Sequence, residues 1–400
     1  MQKTPKGMRL QIGIFGRRNV GKSSFLNTVT RQDVSIVSEI PGTTTDPVEK
    51  AMELLPIGPV LFIDTAGIDD IGALGEARIC KSRKVFERTD VAVIIVNASL
   101  WDSFEDNLIE EFKDRNIPLL IVFNKVDIDE PQVDMLDKLE ELKIEYAETD
   151  SLKKIGFLDF KKALIASLPP ELINPAGIIG DLIEKGDTII LVVPIDMEAP
   201  KGRIILPQVQ VIRDILDNNA NCIVVKENQL KQTIENLKKP PVLVITDSQV
   251  FKQVAKDTPE SIALTSFSIV FARFKGDLDT FTEGAKRIKE LMPGDRVLIS
   301  EACTHHPIGN DIGRIQIPEL LNKHVGGKLH IDITEGHDFS EDIKSYKLII
   351  HCGACMFNKQ MLLTRILQSQ TAGVPITNYG ITLAYLHGIH ERALKPFKSK

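Results

Sequence analysis

The sequence predicts an α/β protein: a larger N-terminal domain followed by two smaller parallel-sheet α/β domains. Three observations point there. Apolar strand-like runs alternate with amphipathic helical stretches along the whole chain. The 400 residues exceed what one hydrophobic core usually serves. The stretch "SLPPELINPAG", 167 to 177, carries three prolines and reads as a boundary.

In the first third the strand candidates are "LQIGIFG", "PVLFIDTAG", "VAVIIVN" and "PLLIVFNK". A second set follows the proline-rich stretch: "DTIILVVPI", "NCIVVKE", "PVLVITD" and "SIALTSFSIVFARF", separated by helical patterns such as "QVQVIRDILDN". A third set, "RVLISEA", "KLHIDIT", "YKLIIHC" and "VPITNYG", begins after "ARFKGD". The expected domains are therefore 1–172, 173–274 and 275–400, the last division resting on the pattern alone.

Composition narrows the function classes. Hydrophobic residues make up 43% and charged residues 26%, as in ordinary globular proteins. The net charge of −6 argues against a general binder of nucleic acid or anionic membrane. No apolar run approaches the ~20 residues of a membrane span. The N-terminal "MQKTPKGMRLQIG" lacks the apolar core of a signal peptide, so a cytoplasmic protein is expected. Five cysteines, an odd number, do not suggest a disulfide framework; reduced thiols or metal ligands fit better.

The first domain carries an ordered set of motifs. "GRRNVGKS", Gly16 to Ser23, fits G-x-x-x-x-G-K-S between an apolar strand and the helix start "SFLNTVT". Gly16 and Gly21 let backbone N–H groups close around phosphates at a helix N-terminus, with Ser24 in its first turn. Lys22 would reach the terminal phosphates, and the Ser23 hydroxyl would ligate Mg²⁺. "DTAG" ends the next apolar run; Asp64 suits the metal side and the Gly67 N–H the γ-phosphate. "NKVD", with Asn124, Lys125 and Asp127, ends a later strand, and the Asp127 carboxylate suits the N1–H and N2–H of guanine. In this order, each at a strand's C-terminal end, the motifs define a P-loop GTPase domain.

Residues 8 to 170 resemble the TrmE–Era-type GTPases. "PGTTTD" resembles that family's first switch, which implies Thr44 as a Mg²⁺ ligand, with Thr43 close behind. Asn19 matches the asparagine that helps bind K⁺ in the potassium-dependent members. "DSLKKIGF" would be the last guanine-contacting loop; it departs from the usual Ser-Ala, leaving Ser151 as the matching position. Ile68 stands where many GTPases place a water-orienting glutamine. Slow hydrolysis of GTP to GDP and phosphate is expected, with K⁺ supplying the charge of an arginine finger.

At the other end Cys303 follows one strand-like run, and Cys352 and Cys355, in "HCGAC", follow another. In a parallel sheet these ends share one edge, so the three thiols can converge. Three readings of the residues stand open: a redox dithiol of Cys352 and Cys355, a Cys₃His zinc site with His305 or His351, and an iron–sulfur cluster. His306, Glu301 and Asp311 are further candidates for a fourth ligand or for an outer shell that tunes the site. Cys80, by its helical spacing from Ile79 and Val85, and Cys222, in "NCIVVKE", read as packing residues.

"CTH" at 303 to 305 with "HCGAC" at 351 to 355 resembles the C-x-H…H-C-x-x-C pattern of the HydF family, the [FeFe]-hydrogenase maturation GTPases. The stretch from Val192 to Asp217 resembles that family's dimerisation domain, so the resemblance covers essentially the whole chain. It implies a [4Fe-4S] cluster on Cys303, Cys352 and Cys355 and a scaffold or carrier role. It also implies a homodimer, a transient diiron precursor taken from two radical-SAM maturases, and delivery to the apo-hydrogenase. Three thiolates leave one iron with an exchangeable ligand, which suits a site that receives cargo. The alternative is an RNA- or ribosome-assembly GTPase with a structural zinc site. Against it stand the negative charge, 6% aromatics and the lack of a KH-type G-x-x-G module.

Overall fold

The computed structural model describes residues 4–30, 47–65, 84–173, 177–195, 204–302, 311–340 and 342–398. The chain forms two compact units, Met1–Pro175 and Ala176–Lys400.

The first unit is a six-stranded sheet in the order β2-β3-β1-β4-β5-β6. Its strands are β1 (Leu10–Phe15), β2 (Val48–Leu54), β3 (Gly58–Asp64), β4 (Val91–Asn97), β5 (Leu119–Asn124) and β6 (Glu145–Thr149). All neighbours are parallel except β2 and β3. Strands β1, β3, β4 and β5 are the expected apolar runs, buried on both faces as a helix-covered parallel sheet requires. Val91, Val93 and Ile95 pack on one face with Phe25 and Phe160, from the helices Lys22–Thr30 and Phe157–Ser167. Ala92, Ile94 and Val96 pack on the other with Ile109 and Phe112, from the helix Ser103–Asp114. β1 lies between β3 and β4, so the strand order reverses there and opens a crevice at its C-terminal end.

The second unit holds two four-stranded parallel sheets. One, in the order β10-β9-β7-β8, contains β7 (Thr188–Val192), β8 (Asn221–Val225), β9 (Leu243–Thr246) and β10 (Ala263–Ser266). The other, in the order β12-β11-β13-β14, contains β11 (Arg296–Ser300), β12 (His330–Thr334), β13 (Leu348–His351) and β14 (Ile376–Asn378). The run "SIALTSFSIVFARF" is a strand only as far as Ser266. The Ser266 hydroxyl then accepts from the Ile269 N–H at 3.3 Å and caps the helix Phe267–Lys275. That helix is buried on two sides. Phe267, Val270 and Phe271 pack with Ile189 and Leu191 of the first sheet. Ile269 and Ala272 join a cluster drawn from both sheets, which includes Val192, Val297 and Ile349. The boundary expected at 274/275 falls at the end of this helix, between two sheets of one compact unit.

Register aligns the C-terminal ends of the second sheet: Ser300 stands opposite Thr334 and His351, and His351 opposite Asn378. Cys222 packs beside the first sheet's core, where burial pushes its thiol up to about 11. Among the described residues, no helix is long and apolar enough to cross a membrane.

Candidate functional site

The phosphate loop leaves β1 through Gly16 and enters the helix Lys22–Thr30 after Gly21. Both glycines have positive φ, 136° and 97°. A Cβ on Gly16 would lie 2.2 Å from the Ile95 carbonyl oxygen, and one on Gly21 would lie 2.3 Å from Asn124 Nδ2. Asn19 is also left-handed, φ 63°, a conformation asparagine tolerates better than most residues. The Lys22 ammonium is buried and donates to the carbonyls of Gly16 at 2.8 Å and Arg17 at 2.6 Å. It therefore sits inside the loop. Ser24 lies in the helix's first turn, and its carbonyl accepts from Thr28 at 2.9 Å.

Asp64 ends β3 opposite Ile14 and meets the Ser23 hydroxyl, which donates to its Oδ2 at 2.6 Å. Asp64 Oδ1 is buried, with no hydrogen-bond partner among the described residues. Burial raises this carboxyl above its ordinary range, opposed by the Ser23 bond and by Lys22 and Lys50. A hydroxyl and a carboxylate in contact, with an orphaned oxygen beside them, fit a divalent cation bound by hard oxygen ligands.

The base side is organised by Asn124. Its Nδ2 donates to the Val20 carbonyl at 2.9 Å, and its Oδ1 accepts from Ser151 Oγ at 2.8 Å and Thr149 Oγ1 at 3.2 Å. Ser151 thus ties the last loop to the "NKVD" turn. Asp150 shapes the same loop by accepting from the N–H groups of Leu152 and Lys153 at 2.9 and 3.0 Å. Lys125 reaches back to the Asn19 carbonyl at 2.8 Å, and Asp127 pairs with Lys153 at 3.3 Å.

At the other site Cys352 follows β13 directly. Its sulfur accepts from the N–H groups of Ala302 at 3.1 Å and Ala354 at 3.4 Å. The chain just before Cys303 therefore lies at this thiol. Such N–H donors stabilise sulfur that carries negative charge. Burial raises the Cys355 thiol, while the Lys275 ammonium pulls it down. Together with the C-x-x-C spacing, this donor set fits a thiolate-ligated metal centre.

His351 is fully buried, and burial and Arg365 hold it down to about 3. Arg365 can only donate, at 3.0 Å, so His351 Nε2 is the acceptor and the proton sits on Nδ1. Nδ1 then donates to the Cys352 carbonyl at 2.9 Å. Both ring nitrogens are engaged, which fits the outer-shell role and leaves neither free to ligate. Glu301 accepts from Tyr379 and Arg314, both at 3.1 Å, and Asp311 accepts from the Arg314 N–H at 2.7 Å.

Thr43, Thr44, Gly67, Ile68, Cys80, Cys303, His305 and His306 lie outside the described residues. Among the described residues, no group of three or more His, Cys, Asp and Glu side chains forms a metal site. Four residues at the sites escaped the sequence reading. Lys50 is buried on β2 and bonds Asn27. Glu105 is buried against Arg17 at 2.8 Å, and its "DSFE" capping pattern was a usable signal. Lys275 shares its helix with Arg273, and Arg365 shares a largely polar helix with Lys359, so neither is set apart in the sequence.

A GTPase domain described as a 50S ribosome-binding GTPase matches residues 11–125. In that region the tRNA modification GTPase MnmE of Synechocystis sp. is 40% identical over 124 residues, 30% of this chain and 26% of that protein. The GTPase Der of Wolinella succinogenes is 34% identical over 143 residues, 35% of this chain and 30% of that protein. The chain thus spans less than a third of the length of these curated relatives. The solved structure of Era from Aquifex aeolicus bound to GDP.AlF4- aligns with a TM-score of 0.36 and 21% identity, covering 54% of this chain and 93% of that one. The hydrogen maturase F dimerization domain matches residues 178–276, and the hydrogen maturase F tetramerization domain matches residues 279–396. The C-terminal domain, expected as a cluster-binding one, is thus matched by a domain named for assembly. Two oligomerization domains named for one family span more than half of the chain behind a GTPase domain, and the chain belongs to the hydrogen maturase F family.

Proposed function

We propose that this protein hydrolyses GTP and serves as a scaffold in [FeFe]-hydrogenase maturation. It would carry a [4Fe-4S] cluster on Cys303, Cys352 and Cys355, accept a diiron precursor from two radical-SAM maturases, and deliver it to the apo-hydrogenase as a homo-oligomer. The reading is carried by the occurrence, in one chain, of the Ser23–Asp64 site and a thiol pair lying inside a hydrogen maturase F domain.

In the GTPase half, Lys22 and the backbone from Gly16 to Ser23 would bind the phosphates. Asn124 holds the phosphate loop and the Ser151 loop together, so that Asp127 can read guanine. Ser23 and Asp64, joined by Thr44, would hold Mg²⁺, which supplies charge neutralisation at the transferring phosphate. Gly67 would report the γ-phosphate. Ile68 cannot orient water, so turnover is slow, and a K⁺ ion held near Asn19 speeds it.

In the cluster half, the Ala302 and Ala354 N–H groups stabilise Cys352, and His351 and Arg365 form its outer shell. The carrier role is tested by incubating the protein, loaded in the presence of both maturases, with apo-hydrogenase. The loaded wild type should restore hydrogen evolution, and Cys352→Ala should not. Equal activation by the variant would overturn the reading.

A further inference from the structure

The loop after β13 is held by a cation from a different part of the unit. Lys275 ends the helix Phe267–Lys275, which follows the sheet β10-β9-β7-β8. It is 3% exposed. Its ammonium donates to the carbonyls of Ala354 at 3.1 Å, Cys355 at 3.3 Å and Phe357 at 2.7 Å. Among the described residues its hydrogen bonds all go to these carbonyls, and none to a carboxylate.

That arrangement is costly by itself. A buried ammonium loses its hydration, and carbonyl dipoles replace only part of it. The loop is also strained, because Ala354 is buried with φ 50°, where a residue with a Cβ is uncommon. The buried ammonium lies against the backbone of Cys355, so its positive charge acts on the thiol site at short range. The other end of the helix also touches the C-terminal edge of the second sheet: Asn378 Nδ2 donates to the Ser268 carbonyl at 2.9 Å, and the Gly380 N–H donates to Ser268 Oγ at 3.1 Å.

We propose that Lys275 is a positioning residue of the thiol site: it clamps residues 354–357 in the turn that sets Cys355 beside Cys352, and its charge offsets the thiolates and the cluster they hold. This rests on the reading of Cys352 and Cys355 as iron–sulfur ligands. It makes the dimerization-matched domain a contributor to the cluster site, so displacement of its last helix is felt at the cysteines.

The test uses the full chain with Lys275→Met and Lys275→Arg. In the metal-free protein, amide exchange across 353–358 should rise about tenfold or more in Lys275→Met, with both sheets still protected. In the reconstituted protein, the midpoint potential of the cluster should fall in Lys275→Met and move back toward wild type in Lys275→Arg. Unchanged loop exchange with an unchanged potential would overturn the proposal. So would loss of protection throughout both sheets, which would make Lys275 a general core residue. A wild type that takes up no cluster would overturn the ligand reading, and the charge role with it, in a different sample.

Discussion

Replacing Asp64 by asparagine should stabilise the nucleotide-free protein while disabling it. Asp64 is 6% exposed, one oxygen takes the Ser23 hydroxyl, and the other has no partner among the described residues. Burial raises its pKa above 3.8, so the folded state penalises the carboxylate. Asparagine keeps the shape and the acceptor for Ser23 but puts a neutral group where the orphaned charged oxygen lies. An unsatisfied buried polar group costs about 1–3 kcal/mol, more when charged. A gain of about 1–2 kcal/mol is expected, or about 2–8 °C in Tm for a domain of this size.

Because the folded carboxyl binds its proton more tightly than the unfolded one, the penalty is complete above the folded pKa. The gain should therefore shrink as the pH is lowered toward 3.8. With Mg²⁺ and GDP at a hundred times Kd, the wild type should gain about 2.7 kcal/mol, and Asp64→Asn much less. Calorimetry in EDTA and then in Mg²⁺ with GDP measures both. A variant less stable than wild type in EDTA, or one that keeps the full gain in Mg²⁺ with GDP, would refute the reasoning.

Three further outcomes are expected. Gly21→Ala must place a Cβ at φ 97° against Asn124, costing about 1–3 kcal/mol and weakening guanine nucleotide binding measured by titration. GTP turnover should be faster in KCl than in NaCl, and equal rates would remove the K⁺ role assigned to Asn19. His351→Ala should keep the cluster but alter its EPR signal, since the ring buttresses Cys352 through its carbonyl; an unchanged signal would make His351 purely structural.

Most of the legible strands are buried on both faces: β1, β3, β4, β5, β7, β9, β11 and β13 are short, largely apolar runs, while the edge strands β8 and β12 kept enough apolar residues to be read. β2 and β6, also sheet edges, were not legible because charged residues interrupt "VEKAMEL" and "EYAET". The run after Ala263 was read too long, because a helix buried on two sides is as uniformly apolar as a buried strand; only the Ser266 cap marks the change. In the nucleotide site, motif order pointed to Ser23, Asp64 and Asn124, whereas Lys50 and the Arg17–Glu105 pair depend on contacts distant in sequence. At the thiol loop, Cys352 and Cys355 stood out by their spacing. Lys275 and Arg365 did not: Lys275 meets that loop only once the helix after the other sheet packs against it, and Arg365 meets His351 only once the helix after β13 has folded back.

The proposed function requires the thiol site to hold iron and sulfide in a protein that also turns over GTP. Anaerobic metal analysis with EPR, on wild type and on Cys303→Ala, Cys352→Ala and Cys355→Ala, tests it most directly. The wild type should be brown, with roughly four irons per chain and a reduced-cluster signal, all lost in each variant. Stoichiometric zinc without iron would contradict it.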